Sequence, residues 1–400
     1  MRYSLLNFIE CPHSKTGLTC VVFEERPSVI GLVREKNPLV VSIIQMVESG
    51  RVNQPGAMFG PTPKFQQRTW LGDFLQEHAC PPAAERRNHE VVVEEGLLIS
   101  AESGRWYPIK RSIPEILPDH LRDVEGDLEY LARFRDRLPE PLFARLHDPR
   151  IFTARNLEDC GRKYKRCEMT ITSRIEDSGF FGPGYDAPFN PASMDHTTYL
   201  IRLFSFCLRL LSQNGPNRVV LDMGCGYAWT TEWLLRIGWE PIGVDITRAY
   251  LDIAAERLGS WMPHLIQADV ENLPIRSAVL DAILGYEAFH HIPDRARAMR
   301  GFFRALRPGK QVVLAEPGAA HENAPGSVEV MEKYGILERG MDLADVASYA
   351  AGTGFLPPQR HQVIEIPDDE LANGLNTKES LLKHSFTNSN LYTVRKPANS

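Results

Sequence analysis

The sequence predicts an α/β protein whose carboxyl-terminal half is a doubly wound parallel sheet, and three observations carry that prediction. From residue 218 onward, apolar runs of strand length alternate with segments of helical spacing. The first of those runs ends in a glycine-rich turn, "RVVLDMGCGYAWTTEWLLR" (218–236). Ahead of this half lie short β-like runs and then a mostly helical stretch. Apolar strands separated by helices form a parallel sheet covered on both faces.

The elements follow in order. "RVVLDMG" is a strand and "AWTTEWLLRIG" a helix. "PIGVDIT", "HLIQADV" and "AVLDAILGYEAF" are further strands, and "RAYLDIAAERLG" and "DRARAMRGFFRALRPG" further helices. "KQVVLAEP" is the fifth strand. "HQVIEI" and "NLYTVRKP" come later and are placed to pair at one sheet edge. Composition divides the chain at 1–120, 121–212 and 213–400. The first part is β-rich, with a loop-rich insertion at about 21–90 that shows no clear periodicity. The second reads as helix through "HLRDVEGDLEYLARFRDRL" and "TTYLIRLFSFCLRLLSQ". Between those helices, "GFFGPGYDAPFNPAS" is either a lid or a connector.

Composition narrows the function classes. The net charge of −6 and the absence of a basic tail speak against nucleic-acid partners. "GRKYKR" (161–166) is the one dense basic run and reads as a solvated helix face. No apolar window reaches spanning length and the amino terminus has no signal-peptide pattern, so the expectation is a cytoplasmic protein without a membrane span. Seven scattered cysteines with no C-x-x-C pair suit a reduced compartment.

In a doubly wound sheet, ligands sit at the carboxyl ends of the strands. Gly224 and Gly226 end the first strand and let backbone approach a ligand. A dinucleotide fingerprint would place its third glycine at 229, which is Trp229, and no G-K-[ST] occurs. These readings disfavour an NAD-dependent oxidoreductase and exclude a P-loop. Asp222 suits a cation, Asp245 the two hydroxyls of a ribose, and Asp269 an adenine amino group. Together they describe S-adenosylmethionine (SAM).

At these residues the chain resembles a known family. "LDMGCGYAWT", "GVDIT", "QADVENLPIRSAVLDAILGYEAFHHIPD" and "FRALRPGKQVVLAEP" are similar to the successive motifs of class I SAM-dependent methyltransferases, most of all the small-molecule branch related to quinone-biosynthesis enzymes. The resemblance implies a seven-stranded Rossmann-like methyltransferase sheet. It also implies that Asp222, Gly224 and Gly226 line the methionine and ribose part, and that Asp245 holds the ribose. Asp269 and the backbone of Val270 would hold the adenine, with Gly285 and Tyr286 close by. The family's third motif glycine is Ala228 here, and its second glycine after "LRPG" is Lys310.

Methyl transfer requires a base only for a poor nucleophile. Glu287, His290, His291, Glu316 and His321 are placed to face an acceptor, and His290, His291 and Glu316 are the catalytic candidates, with a histidine as the base. The spacing of the histidines and Glu316 matches no metal-ligand pattern, so no metal is expected. "LGYEAF" lacks the [DN]-P-P-[YF] of adenine and amide methylases. The segment "SVEVMEKYGILERGMDLADVASYAAGTGF" resembles the tail of methyltransferases found with polysaccharide enzymes. The expected acceptor is therefore a small molecule or a saccharide or lipid-linked group, methylated at O, N or C. The alternative is a catalytically silent SAM-binding scaffold.

The first part resembles a small zinc-ribbon-like family of methyltransferase activators, through "LLNFIECPHSKTGL" and "LLISAESGRWYPIKRSIPEILPD". The family's four zinc cysteines fall here on Cys11, Ser14, Ser100 and Ser103. One thiolate does not make a closed zinc site. The expectation is a ribbon without metal, packed through Trp106, Tyr107, Ile109, Ile113 and Ile116, that stabilises the catalytic domain.

Overall fold

The computed structural model describes residues 1–27, 91–152, 161–171, 188, 194–213, 219–259, 263–362 and 389–399. They fall in two compact units, Met1–Leu157 with Arg257–Ile266, and Glu158–Glu256 with Gln267–Ser400. The sequence reading divided the chain into three. The difference lies in the helical stretch, whose first helices belong to the first unit and whose later ones belong to the second.

In the first unit, strands β1 (Thr19–Pro27), β2 (Val91–Ile99), β3 (Trp106–Lys110) and β4 (Ile113–Ile116) form an antiparallel meander. Pro27 pairs with Val91, so the segment 28–90 leaves and re-enters at adjacent strand ends. Segment 28–90, like "GFFGPGYDAPFNPAS" apart from one residue, lies outside the described residues. Helices α1 (Val124–Arg133) and α2 (Glu140–Leu146) lay Tyr130, Leu131, Leu142 and Leu146 on Val21, Leu97, Ile99 and Trp106. Two polar anchors fix this packing. The Tyr130 hydroxyl donates to the Ile109 carbonyl at 2.7 Å, and the Trp106 indole donates to the Leu146 carbonyl at 2.9 Å. A buried aromatic ring keeps its stabilisation only when its polar tip finds such a partner. The five expected core residues, Trp106, Tyr107, Ile109, Ile113 and Ile116, are all buried.

The four zinc-ligand positions converge. Ser14 Oγ lies 3.1 Å from Ser100 Oγ, and Cys11 Sγ lies 3.5 Å from Ser103 Oγ and 3.4 Å from the Tyr107 hydroxyl. The turns that present them are hydrogen-bonded as knuckles: Lys15 N donates to the Cys11 carbonyl and Gly104 N to the Ser100 carbonyl, both at 2.9 Å. One hydroxyl-to-hydroxyl contact and the contacts of the Cys11 thiol with two hydroxyls therefore join the four positions. Burial pushes the Cys11 thiol up, but hydrogen bonds from Ser14, Tyr107 and Ser103 outweigh it and lower its pKa.

In the second unit, β5 (Val219–Met223), β6 (Glu240–Asp245), β8 (Leu280–Tyr286) and β9 (Leu306–Pro317) run parallel in the order β6-β5-β8-β9. β7 (His264–Ala268), whose last two residues belong to this unit, lies beside β6. β11 (Ser389–Arg395) runs antiparallel to β9 and carries β10 (Gln359–His361) at the edge. The doubly wound seven-stranded sheet is thus present; "NLYTVRKP" supplies β11, whereas β10 shares only His361 with "HQVIEI", whose residues 363–366 lie outside the described residues. Helix α3 is Arg162–Met169, α4 Met194–Ser212, α5 Trp229–Arg236, α6 Arg248–Leu258, α7 Arg295–Ala305, α8 Pro325–Tyr334 and α9 Leu343–Ala351. α4 packs Leu203, Phe204, Cys207 and Leu211 on Trp229, Tyr286, Val313 and Leu391. Trp229, the residue that broke the dinucleotide pattern, is therefore core. α7 ends at Ala305, earlier than its pattern suggested, because Pro308 is close and β9 begins at once. No helix among the described residues is long and apolar enough to cross a membrane.

Replacing Ser14, Ser100 and Ser103 together by cysteine should create a four-thiolate site with Cys11. The expected result is one zinc per chain by elemental analysis and a melting temperature that falls on chelation. A zinc-free variant would show that the four positions are not held at ligand distance.

Candidate functional site

The carboxyl ends of β5, β6, β7 and β8 surround a cavity of about 480 Å³, a size suited to a small molecule. Backbone geometry at the end of β5 opens it. Gly224 sits at φ +65° and Gly226 at φ +51°, a region closed to most side chains. A Cβ on Gly224 would lie 2.4 Å from the Ala288 Cβ, so the turn and the loop after β8 approach only because residue 224 is glycine. Ala228 takes the same left-handed conformation, at φ +62°, just before α5.

Gly224, Gly226, Asp245, Asp269, Val270 and His291 line the cavity. Asp245 is buried at the end of β6, where its Oδ2 accepts from Gly226 N at 2.9 Å and its Oδ1 from Thr247 N at 2.7 Å. Burial raises its pKa against these donors. Asp269 accepts from Glu271 N and from the Asn272 side chain, at 3.1 and 2.6 Å.

Asp222, Gly285, Tyr286, His290 and Glu316 are not among the lining residues. The Asp222 carboxylate is buried and taken up by Thr230 and Thr231, at 2.7 and 2.5 Å, so it is not presented to a ligand's ammonium. Burial carries its pKa to about 6, against those hydroxyls. Gly285 is packed between Met223 and Leu314, and the Tyr286 hydroxyl donates to the Leu200 carbonyl. Glu316 is fully buried at the end of β9 and accepts from the backbone of Ala288, Phe289 and His290 and from His290 Nδ1. A carboxylate with four donors is a scaffold, not a base.

The two histidines differ sharply. Burial pushes the His290 pKa down, but Glu316 at 2.8 Å and Glu338 at 3.4 Å outweigh it and hold it at about 10. His290 is thus an imidazolium between carboxylates and cannot act as a base near neutrality. Burial and then the His290 charge, its ring centroid 3.9 Å away, bring His291 down to about 4. Its Nδ1 lies 2.8 Å from the Leu337 carbonyl, which only accepts, so Nδ1 carries the proton and Nε2 the lone pair. Ligand atoms of His290, His291 and Glu338 lie within 4.8 Å of one another. His290 Nδ1 is engaged by Glu316 at 2.8 Å, and Nε2 faces Glu338 at 3.4 Å.

Two lining residues carry more than the sequence suggested. Glu287 follows β8 at φ +49°; its backbone N–H donates to the Ala315 carbonyl at 2.9 Å, and its carboxylate accepts from the Tyr199 hydroxyl at a long 3.4 Å. Burial raises its pKa to about 7, with the His290 charge opposing and Glu316 assisting. The signal was present as an acidic residue just past a strand end in "LGYEAF", but the neighbouring histidines drew the assignment. Lys165 corrects the reading of "GRKYKR". Arg162, Lys163, Tyr164 and Arg166 are exposed, but Lys165 is only 4% exposed, with Nζ 3.0 Å from Asp269 and 2.6 Å from Glu271. Its partners lie 104 and 106 residues away, so nothing local signals the burial. Burial alone would lower the Lys165 pKa, but the two carboxylates raise it.

Comparison with known proteins agrees with this geometry. Residues 221–314 match the methyltransferase domain family, and residues 2–112 match the Trm112p-like protein family. The chain is 30% identical over 137 residues to methyltransferase GfsG of Streptomyces halstedii, covering 33% of this chain and 49% of that protein. It is 26% identical over 125 residues to the sarcosine/dimethylglycine N-methyltransferase of Halorhodospira halochloris, covering 30% and 45%. The chain thus spans about half the length of these curated relatives. A complex of the Haloferax volcanii Trm112 methyltransferase activator with a methyltransferase aligns at TM-score 0.39 and 18% identity, over 50% of this chain and 92% of that one.

Proposed function

From a methyltransferase domain at 221–314 behind a Trm112p-like region at 2–112, we propose that this chain is a SAM-dependent methyltransferase acting on a small-molecule acceptor. The observation that carries the reading is the lining itself. Gly224 and Gly226 open the cavity, and Asp245 and Asp269 stand at the ends of neighbouring strands. In this reading SAM lies along those strand ends, with its ribose at Asp245 and its adenine at Asp269 and Val270. The sulfonium supplies the activated methyl group, and the protein aligns the acceptor and excludes water.

Glu287 is the acceptor-facing base. A base works best when its pKa lies near the working pH, and Glu287 at about 7 meets that condition. His291 at about 4 is too weak a base, and His290 at about 10 is already protonated. His291 lies instead on the acceptor wall as a positioning residue. The Trm112p-like region stabilises the catalytic region from the same chain, at millimolar-order effective concentration. A saccharide or lipid-linked acceptor has only the resemblance of the 327–355 segment behind it.

Calorimetric titration with SAM tests the cofactor. Micromolar binding is expected, weakened about tenfold or more by Asp245→Ala through loss of charge-assisted hydrogen bonds. Absence of binding to folded protein would refute the reading. Methyl-transfer rate should rise as pH passes through about 7, where Glu287 loses its proton. Glu287→Gln should remove that limb and lower the rate about 10²-fold or more, and an unchanged profile would assign the base elsewhere. A fragment starting at Glu158 should lose solubility or activity, whereas full retention of both would make residues 1–157 dispensable.

A further inference from the structure

One wall of the cavity is a face of α3, which lies outside both regions that match known families, 2–112 and 221–314. Lys165 and Glu168 are three residues apart on that helix and both line the cavity, so they share its inner face. Thr247, just past β6, donates to the Glu168 carbonyl at 3.0 Å, which seats α3 beside the strand ends. Lys165 then reaches the loop after β7, with Nζ 3.0 Å from Asp269 Oδ2 and 2.6 Å from Glu271 Oε2.

Asp269 lines the cavity and is only 2% exposed, so its lone pairs must be filled from nearby groups. Each oxygen of a carboxylate offers about two lone pairs. Oδ2 accepts from Lys165 at 3.0 Å and from Asn272 Nδ2 at 2.6 Å, and is filled. Oδ1 accepts from Glu271 N at 3.1 Å and, among the described residues, keeps one lone pair. The donors are themselves fixed. Arg297 donates to the Asn272 side-chain oxygen and to the Glu271 carbonyl, which orients the Asn272 amide. Glu271 Oε1 accepts from Asp294 N at 2.9 Å, so the residue that caps α7 closes the network. Burial and then the Asp269 charge raise the Glu271 pKa, and Lys165 opposes both. Groups on α3, on the β7 loop and on α7 thus leave one acceptor position on a buried carboxylate beside the cavity.

We propose that Lys165 positions the Asp269 carboxylate for the cofactor's base, so that the lone pair left on Oδ1 selects an aminopurine over an oxopurine. This deepens the SAM reading and rests on it. An amino group at the purine 6-position donates to that lone pair. A carbonyl oxygen in its place sets lone pair against lone pair and leaves two buried acceptors unpaired, which a site built for a hydrogen bond rejects strongly. Without the ammonium, Oδ2 loses a donor and the carboxylate is free to turn. Asp269 and Glu271 are then like charges in a buried place with no cation between them. Two such carboxylates take up a proton, and a carboxyl that holds a proton can donate to a carbonyl. The preference for the amino group therefore depends on a lysine 104 residues before the aspartate.

The experiment titrates the full chain with S-adenosylhomocysteine and with S-inosylhomocysteine, which differ only in the base. The intact protein should bind the adenosine compound at least about tenfold more tightly. Lys165→Met, which keeps the length of the side chain and removes its charge, should cut that preference by about fivefold or more. A merely structural lysine would weaken both ligands by the same factor and leave the ratio unmoved, and that result would overturn the proposal. Lys165→Gln is the second variant should Lys165→Met not fold. A preference below about threefold in the intact protein would overturn the proposal with no variant needed. Failure of the intact, folded protein to bind either compound would instead overturn the SAM reading, and this proposal with it.

Discussion

The Glu316 carboxylate is the interaction on which the site depends. It stands at the end of β9, fully buried, and gathers the amides of Ala288, Phe289 and His290 together with the His290 ring. A buried carboxylate is costly unless its lone pairs are filled, and four donors fill them. The consequence reaches outward. The loop after β8 takes one shape, with Glu287 and His291 on the cavity wall and His290 behind it. The His290 charge then depresses His291 and restrains the rise of Glu287. Burial is the larger cause of both shifts, and one carboxylate that does not line the cavity modulates them through His290.

A second buried pairing sets the charge of the cavity. Lys165 on α3 reaches Asp269 and Glu271 and is itself nearly buried. Thr247 donates to the Glu168 carbonyl, and Ile171 packs with Tyr334 and Ile336, so α3 is tied to the cavity rim by polar and apolar contacts together. Such a pair is not evidence of great stability, since desolvation offsets most of the attraction. Its effect is local: it neutralises Asp269 and Glu271 where they line the cavity.

The first unit shows a different substitution of forces. A zinc ribbon is small and draws its folding energy from metal–thiolate bonds. Here three of the four ligand positions are serine, yet the knuckle hydrogen bonds persist. The added helices α1 and α2 give the meander a core, through Tyr130, Leu131, Leu142 and Leu146. Apolar burial beyond the ribbon stands where coordination would have stood.

The fold was legible because periodicity and turn chemistry are local. Strands β5, β6, β8 and β9, the glycines after β5 and the edge strand β11 all lie where the pattern puts them. So do the strand-end carboxylates Asp245 and Asp269, since their placement follows from the strands. The roles within the site were not legible. Sequence marks Glu316, His290 and Asp222 as titratable groups near strand ends, which they are, but their partners lie on other elements. Thr231 fills Asp222, backbone amides 26 to 28 residues away fill Glu316, and Glu338 joins His290 from 48 positions along the chain. Protonation depends on burial and on the charges within a few ångströms, and only the folded chain brings those together. That is why the sequence determined which residues stand at the strand ends around the cavity, and the tertiary structure decided how each of them is partnered and charged.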